Sequence, residues 1–269
     1  MTRILTENAE FQLLEALRHN RRKREQRGEF IIEGVQAITR ALAAEWPLRA
    51  GLVPAATHRS PWAEACLAQV DTVIEIRPDL FARLTAREEP PELMLLGRIP
   101  APDLAAVPHH PDGVVVVLDR PGNPGNLGTI IRTSDALGAA GVLLSGHGAH
   151  LYDPQTVRAS VGSLFALPVV PVPSNQALID WLEQWRATAP VTVYATDEHG
   201  EVPLSGAVVL SRPAVILLGS ERTGLATALA ELADVSLAIP MAGSASSLNV
   251  AVAAGIVLQR VMSSVGGHG

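Results

Sequence analysis

Short apolar runs alternate with amphipathic segments along the chain, a pattern that predicts strands alternating with helices. In the first part of the chain, residues 5–25 and 61–70 have the spacing of helices, whereas 71–76 and 93–99 have the composition of strands. Residues 30–45 begin like a strand and continue like a helix. The N-terminal part is therefore predicted to be a small α/β domain.

The second half repeats this alternation with longer apolar runs. Residues 114–119 form a continuous and mostly β-branched run, which is typical of a strand buried on both faces. A glycine-rich turn is predicted to lead from it into a helix over 129–138, and the chain is predicted to end in a helix over 247–264. About six strands with intervening helices indicate a mostly parallel sheet that is covered on both faces.

A proline-rich polar stretch, residues 100–113, separates the two halves, and proline at this density interrupts regular structure. We therefore predict a first domain over 1–105, a linker over 106–113 and a second domain over 114–269.

The composition limits the class of protein. Hydrophobic residues make up 48% of the chain, which is enough for a full-sized core. No apolar run reaches the roughly 18 residues of a membrane span, and the first residues lack the order of a secretory signal. Cys66 is the only cysteine, which excludes an internal disulfide and a multi-cysteine metal site. His109 and His110 are interpreted as part of a solvated loop rather than a metal pair. We expect a cytoplasmic enzyme without a metal and without a membrane partner.

The net charge of −6 hides a local basic cluster. Its members lie between positions 18 and 27 and are opposed only by Glu25: Arg18, Arg21, Arg22, Lys23, Arg24 and Arg27. Such a cluster can neutralise phosphates whatever the total charge is, which makes these six residues candidates for RNA binding. The alternative is a solvated helix face. Lys23 is the sole lysine, so the arginine bias is a property of the whole chain and weakens this inference.

Three polar segments follow predicted strands of the second half: 119–134, 218–225 and 239–255. Ligands of open parallel sheets bind beyond the carboxyl ends of the strands, so these segments are the candidate site. The glycines of the first segment let the backbone approach a ligand closely, although a tight turn between strand and helix would also explain them. Their spacing is not G-x-G-x-x-G, which disfavours a nicotinamide dinucleotide site and therefore a dehydrogenase.

Individual side chains in these segments carry candidate chemistry. Arg132 is a phosphate clamp or a surface residue, since a guanidinium binds phosphate oxygens bidentately. Ser247 stands where an N-cap would begin the terminal helix. Asn249 is a poor helix former that offers a ligand both a donor and an acceptor.

Taken together, the three segments resemble the three motifs of the SpoU/TrmH branch of the SPOUT RNA methyltransferases, in the same order. The matching residues are Asn126-Leu127-Gly128 with Arg132, then Leu218-Gly219-Ser220-Glu221, then Ile239-Pro240-Met241 with Ser247-Leu248-Asn249-Val250. The basic segment followed by Phe30-Ile31-Ile32-Glu33-Gly34 is similar to the start of the family's L30e-like RNA-binding domain.

The resemblance implies an α/β fold whose C-terminal SPOUT domain has a parallel sheet tied in a deep trefoil knot, beside a smaller L30e-like domain. It also implies a homodimer that uses S-adenosylmethionine to methylate ribose 2′-hydroxyls of RNA. The N-terminal domain favours 23S rRNA as the substrate over tRNA. A non-catalytic knotted RNA-binding protein is a more remote alternative, disfavoured because Arg132 and the Ser-Leu-Asn segment are intact.

The resemblance further implies roles for single residues. The cofactor-binding residues would be Leu218, Gly219, Ile239, Met241, Ser247 and Leu248. The catalytic residues would be Arg132, Asn126, Glu221, Ser247 and Asn249. Arg132 would activate the substrate, although a free arginine hardly deprotonates. Glu221 has a simpler alternative as the partner of an arginine or as an acid at a helix N-terminus.

Overall fold

The computed structural model describes residues 2–85, 87–205, 208–245 and 247–264. Two compact units make up the chain. One consists of Met1–Ala101 and His150–Ala166, and the other of Pro102–Ala149 and Leu167–Gly269. The predicted domain limits assigned residues 150–166 to the second domain, whereas in the structure they pack with the first unit.

The strands are β1 (Thr2–Ile4), β2 (Glu29–Glu33), β3 (Leu48–Pro54), β4 (Val73–Ile76), β5 (Met94–Arg98), β6 (Val114–Asp119), β7 (Gly141–Ser145), β8 (Val169–Pro171), β9 (Thr192–Thr196), β10 (Val202–Pro203), β11 (Ala214–Leu218) and β12 (Val235–Ala238). The helices are α1 (Ala9–His19), α2 (Arg21–Arg27), α3 (Val35–Ala43), α4 (Pro61–Leu67), α5 (Pro78–Arg83), α6 (Pro124–Ala136), α7 (Pro154–Ser160), α8 (Asn175–Arg186), α9 (Thr227–Ala230) and α10 (Val250–Ser263). No described helix has the length and apolar character to cross a membrane.

The first unit contains a five-stranded mixed sheet in the order β1-β4-β3-β5-β2. Strands β1, β4 and β3 run parallel, whereas β5 is antiparallel to both of its neighbours. Helix α1 buries Phe11, Leu14 and Leu17 in the core of this unit, because residues three apart lie on one helix face. A small α/β domain was predicted here and is confirmed, although the pattern missed β1.

The predicted helix over 5–25 is two helices. Asn20 ends α1 by donating its backbone N–H to the carbonyl of Ala16, and it begins α2 by accepting from the backbone N–H of Lys23 through its side chain. Asparagine favours such caps because its short amide competes with the helical backbone bonds. The break leaves the basic residues on a separate short helix.

The second unit contains a seven-stranded sheet in the order β10-β12-β9-β11-β6-β7-β8, in which every strand pairs in parallel. All six residues of β6 are buried, as their β-branched run predicts. The α/β fold with a parallel sheet is therefore confirmed, with one more short strand, β10, at its edge than the pattern predicted.

The predicted deep trefoil knot stays an inference from the resemblance. Residues that precede β11 are bonded to the last turn and the C-cap of α10. Arg260 donates to the carbonyl of Val208 over 3.0 Å, and the backbone N–H of Leu210 donates to the hydroxyl of the C-cap Ser264 over 3.2 Å.

The predicted linker is packed within the second unit. Val107 is 1% exposed, and the His109 ring stacks on Trp185 with centroids 5.6 Å apart and meets Trp181 edge-on at 5.1 Å. Burial lowers the pKa of His109. His109 therefore lies in a loop, as predicted, but it is half-buried against two tryptophans of α8, which the sequence pattern does not show, whereas His110 is exposed.

Candidate active site

Three loops leave the carboxyl ends of β6, β11 and β12, and the first two of these strands are hydrogen-bonded neighbours. Leu118 and Leu218 are direct register partners, so β6 and β11 end at the same level of the sheet. The loops that follow are therefore presented at one edge, as the sequence predicted for a ligand site in a parallel sheet.

The first loop is short because α6 begins at Pro124, five residues before the predicted start of this helix. Asn123 is its N-cap, and its side-chain oxygen accepts from the backbone N–H of Asn126 over 3.0 Å. Proline at the first helical position has a backbone angle already suited to a helix. Asn126 therefore lies in the first turn of α6 and not in a flexible glycine-rich turn.

The second loop is closed upon itself. The backbone of Ser220 exchanges hydrogen bonds of 3.1 Å and 2.9 Å with that of Gly224. A Cβ at position 219 would lie 2.4 Å from the carbonyl carbon of Gly224, so only glycine fits there. Gly224 itself has a φ of +63°, which favours glycine. This loop carries the exposed Glu221 at its tip.

Two side-chain hydrogen bonds join the three loops. Asn126 donates from Nδ2 to Oε1 of Glu221 over 2.8 Å, and it accepts at Oδ1 from Nδ2 of Asn249 over 3.1 Å. Asn249 is the N-cap of α10, and its Oδ1 accepts from the backbone N–H of Ala251 over 2.8 Å. The N-cap was predicted at Ser247, which instead lies two residues before it.

The direction of these bonds follows from the cap. An N-cap oxygen must accept from the helix, which leaves only the amide nitrogen of Asn249 to donate to Asn126. Asn126 must then present its own nitrogen to Glu221, whose carboxylate accepts. We refer to Asn249, Asn126 and Glu221 as the amide relay. Its three members were all predicted as catalytic residues from different motifs, and the structure brings them together.

Arg132 lies on α6 with its side chain exposed. It has no hydrogen-bond or ion-pair partner within 2–85, 87–205, 208–245 and 247–264, so its guanidinium remains available to an anion. Glu221 is bonded to Asn126 rather than to Arg132, which does not support the simpler alternative of an arginine partner.

A cleft of about 460 Å³ opens beside the third loop, in the size range of small-molecule sites. Its walls contain four of the predicted cofactor-binding residues: Ile239, Met241, Ser247 and Leu248. Leu218 is buried in β11, and Gly219 closes the Glu221 loop, so neither lines this cleft.

The sequence reasoning missed another wall of the cleft, formed by residues that follow β9. Thr196, Asp197 and Glu198 line it there. They stand at the carboxyl end of a parallel strand, so the rule that selected the three loops would also have found them. Apolar walls beside two carboxylates suit a flat ring system joined to a cationic group. S-adenosylmethionine has both features, and the residues present therefore fit it.

Comparison with known proteins identifies the family. Residues 113–259 match the model of the SpoU rRNA methylase family, and residues 8–95 match that of the SpoU L30e-like domain. The chain belongs to the SpoU rRNA methylase family. The predicted membership is thereby confirmed, including the L30e-like character of the N-terminal part.

Three relatives illustrate the similarity. The 23S rRNA (uridine(2479)-2′-O)-methyltransferase of Streptomyces viridochromogenes is 44% identical over 95% of this chain and 90% of its own length. The 23S rRNA (guanosine(2553)-2′-O)-methyltransferase RlmP of Bacillus subtilis is 31% identical over 89% and 91%. The crystal structure of the SpoU methyltransferase AviRb from Streptomyces viridochromogenes with AdoMet has a TM-score of 0.90 at 44% identity, covering 95% of this chain and 97% of that one.

The basic cluster of this SpoU methylase divides into exposed and buried members. Arg22 and Lys23 are exposed, and their side chains have no polar partner among the described residues. Arg21 is bonded to Glu25 over 2.7 Å, Arg18 donates to the carbonyl of Arg83 over 2.7 Å, and Arg27 lies 3.9 Å from Glu29. These three side chains remain partly accessible.

Arg24 is different, because its side chain is 2% exposed. It donates to the carbonyl of Leu17 over 2.8 Å, to Oδ2 of Asp153 over 2.9 Å and to Nδ1 of His150 over 3.2 Å. Desolvation, together with the Arg24 charge, lowers the pKa of His150 to about 4, so that this ring is a neutral acceptor at pH 7. The prediction that Arg24 binds RNA is therefore not retained, since the guanidinium is fully used inside the first unit.

Proposed function

We propose that this chain transfers a methyl group from S-adenosylmethionine to a ribose 2′-hydroxyl of 23S rRNA. The observation that carries the proposal is the amide relay, which joins three strand-end loops of a SpoU methylase. Arg132 lies on the same helix as Asn126 and has no polar partner among the described residues. The relatives of S. viridochromogenes and B. subtilis, both named as 23S rRNA 2′-O-methyltransferases, support the substrate class.

The cofactor supplies a methyl group on a sulfonium, which is already an activated electrophile. The protein therefore has to orient a ribose hydroxyl in line with that methyl and to ease the loss of its proton. We assign the orienting charge to Arg132, which would bind a phosphate oxygen or the ribose oxygen of the target nucleotide. Glu221, held by Asn126, would complete the polar wall, and Ser247 would contribute from the third loop.

We assign cofactor binding to the cleft beside the third loop. Ile239, Met241 and Leu248 would hold the apolar parts of the cofactor, and Ser247 offers a hydroxyl. Asp197 and Glu198 stand on the same cleft and would face the cationic part. Gly219 would act indirectly, since its role is to let the Glu221 loop close.

We propose that the two domains divide the work as the sequence predicted. Residues 114–269 would carry the chemistry, and the N-terminal domain would bind RNA through the exposed residues of its basic cluster. Arg22 and Lys23 are the strongest candidates, because no described residue neutralises them. A protein that modifies ribosomal RNA meets its substrate where ribosomes are made, so the cytoplasm is the proposed location.

We also propose that the protein is a homodimer. Helix α10 exposes the apolar side chains of Val252 and Ile256, which are 52% and 39% exposed. Residues spaced by four lie on one helix face, and an exposed apolar face of this kind is typical of a surface that a partner covers. Sedimentation analysis of wild type and Val252→Asp tests it, since a monomer in both would contradict the proposal.

A methyl-transfer assay tests the proposed function. Labelled S-adenosylmethionine is incubated with 23S rRNA, 16S rRNA and tRNA, and the 2′-O-methylated nucleotide is then mapped. We expect label at a single ribose of 23S rRNA. Label on tRNA alone would support the proposed reaction but contradict 23S rRNA as the substrate. Cofactor binding without label on any RNA, including RNA in subunit precursors, would favour a non-catalytic RNA-binding protein.

A further inference from the structure

At the end of β6, Arg120 and Asp119, which are adjacent in sequence, form a bidentate ion pair. Arg120 donates from Nε to Oδ1 of Asp119 over 3.0 Å and from Nη2 to Oδ2 over 2.8 Å. The Asp119 side chain is 2% exposed, whereas that of Arg120 is 35% exposed. A bidentate contact fixes the plane of the guanidinium as well as its position, whereas a single hydrogen bond would fix only its position.

The same pair binds the loop that carries Glu221. Arg120 Nη2 donates to the carbonyl of Gly224 over 3.1 Å, and Asp119 Oδ2 accepts from the backbone N–H of Ala226 over 2.7 Å. The Gly224 carbonyl also accepts from Ser220 and so lies on the bridge that closes this loop. Arg120 and Asp119 therefore hold the base of the loop whose tip is Glu221.

The backbone around Arg120 is arranged for its side chain. Its φ of +50° lies in the left-handed region, which residues with a side chain disfavour and glycine accepts. Gly146 of the neighbouring loop leaves space for the arginine stem, because a Cβ there would lie 2.7 Å from Arg120 Cγ. Glycine would fit position 120 with less strain, so the arginine is explained by its side-chain contacts. Strain of this kind, held by surrounding structure, is a marker of functional sites.

We propose that Arg120 is a positioning residue for methyl transfer, which with Asp119 fixes the Glu221 loop against the start of α6 so that Glu221 meets Asn126. Its effect on turnover rests on the proposed function, whereas its effect on the amide relay does not. Arg120 acts through Glu221 and makes no contact with the reacting atoms. A direct contact between Arg120 and an RNA phosphate is the competing role, since the side chain is partly exposed.

The test compares Arg120→Gly and Arg120→Lys with a matched control. Glycine accepts the φ of +50°, so this variant removes the side chain without adding backbone strain. Lysine keeps the charge but cannot chelate Asp119 with two nitrogens. The control is Arg77→Gln, because Arg77 chelates Asp79 through the same atoms at 2.6 Å and 2.8 Å in the other unit.

The first readout is the side-chain amide signal of Asn126 in ¹⁵N NMR spectra, assigned by its loss in Asn126→Asp. We expect this signal to move toward the position of a free amide in both Arg120 variants and to stay in place in Arg77→Gln. An unchanged signal in Arg120→Gly would overturn the proposal, whether or not the protein methylates RNA. If the wild type methylates no RNA, the proposed function is wrong. The NMR signal of Asn126 still decides whether Arg120 holds the amide relay.

The second readout is single-turnover methyl transfer. Arg120→Gly is expected to lower the rate about 100-fold, the scale of a misplaced group, while cofactor affinity changes far less. Adding Arg120→Gly to the Glu221→Ala variant is expected to lower the rate little further, because the effects of residues that act as one unit are not additive. Two results would show instead that Arg120 acts on the RNA by its charge. One is a double variant whose rate reduction equals the product of the two single reductions, and the other is full activity in Arg120→Lys.

Discussion

Asn126 and Glu221 lie 95 residues apart in the chain, and their side chains are joined by a hydrogen bond of 2.8 Å from Nδ2 to Oε1. This bond connects the first and second motifs, and its direction is set from the third motif through Asn249. The site is therefore a polar network in which each amide has one orientation. Changes that reverse a single donor should thus harm the reaction without harming the fold.

The variant Asn126→Asp replaces the donor by a second carboxylate. The variant keeps the oxygen that accepts from Asn249, but its new carboxylate lies next to that of Glu221, and the two negative charges repel each other. We expect the methyl-transfer rate to fall about 100-fold at pH 8. Two adjacent carboxylates raise the pKa of one of them. Below that raised pKa the protonated group donates again, so the variant should recover part of its activity as the pH falls.

A pH–rate profile of this variant beside wild type is the measurement. A constant ratio of the two rates from pH 8 to pH 5.5 would show that the bond from Asn126 to Glu221 has no part in the reaction. Asn8→Asp is the matched control, because Asn8 caps α1 of the other unit through its side-chain oxygen and an aspartate can still cap that helix.

Asn249 has two functions that substitutions can separate. Asn249→Asp keeps an oxygen to cap α10 but loses the amide donor to Asn126, whereas Asn249→Ala loses both. We expect the aspartate variant to unfold like wild type and to be slow in methyl transfer. The alanine variant should also lose about 1 kcal/mol of stability, the usual value of an N-cap. Equal stability of the two variants in urea unfolding would contradict the assignment of Asn249 as the cap.

Part of this site could be predicted from the sequence, because its cues are local. A buried β-branched run gave β6, and three polar segments after strands gave the correct loops. The cap of α10 was placed at Ser247 rather than Asn249, since both residue types cap helices and the sequence does not show which side chain meets the helix. The bonds of Asn126 and the chelation of Asp119 by Arg120 required the three-dimensional arrangement of separate loops.

The burial of Arg24 could not be predicted from the sequence either. In the sequence it is one cation among six, and its partners His150 and Asp153 are more than 120 residues away. Helix periodicity alone could not show that α2 turns this one side chain inward. The comparison of Arg24 with Arg22 therefore gives a test within a single helix.

Arg24→Met should destabilise the first unit by about 2 kcal/mol, since it leaves the partly buried Asp153 without its partner. Arg22→Met, its matched control on an exposed site, should change the unfolding free energy by less than about 0.5 kcal/mol. Urea unfolding followed by tryptophan fluorescence measures both. Equal stabilities would mean that Arg24 is free in solution, which would return it to the set of RNA-binding candidates.

His150 gives the first unit a pH-dependent stability. Its pKa is lowered from 6.5 to about 4 in the folded protein, so between these values the unfolded chain binds more protons than the folded one. Stability therefore falls as the pH drops through this window, by at most about 3 kcal/mol. His150→Asn keeps an acceptor for Arg24 without a titrating ring. Unfolding curves at pH 7, 6, 5 and 4.5 should show a shallower decline in this variant, and parallel declines would exclude His150 as the cause.

Arg22 and Lys23 should contribute to RNA affinity mainly through counterion release. Replacing both by glutamine removes two charges, which should reduce the slope of log affinity against log salt by roughly 1.5. Arg186→Gln is the control, because Arg186 is paired with Asp234 on the surface of the other unit. Filter binding to 23S rRNA between 50 and ~300 mM KCl measures the slopes. The turnover of saturated enzyme should be unchanged in the double variant, because these residues bind the substrate and do not reach the reacting ribose. A lower maximal rate with an unchanged slope would place Arg22 and Lys23 in the folding of α2 instead of on the RNA surface.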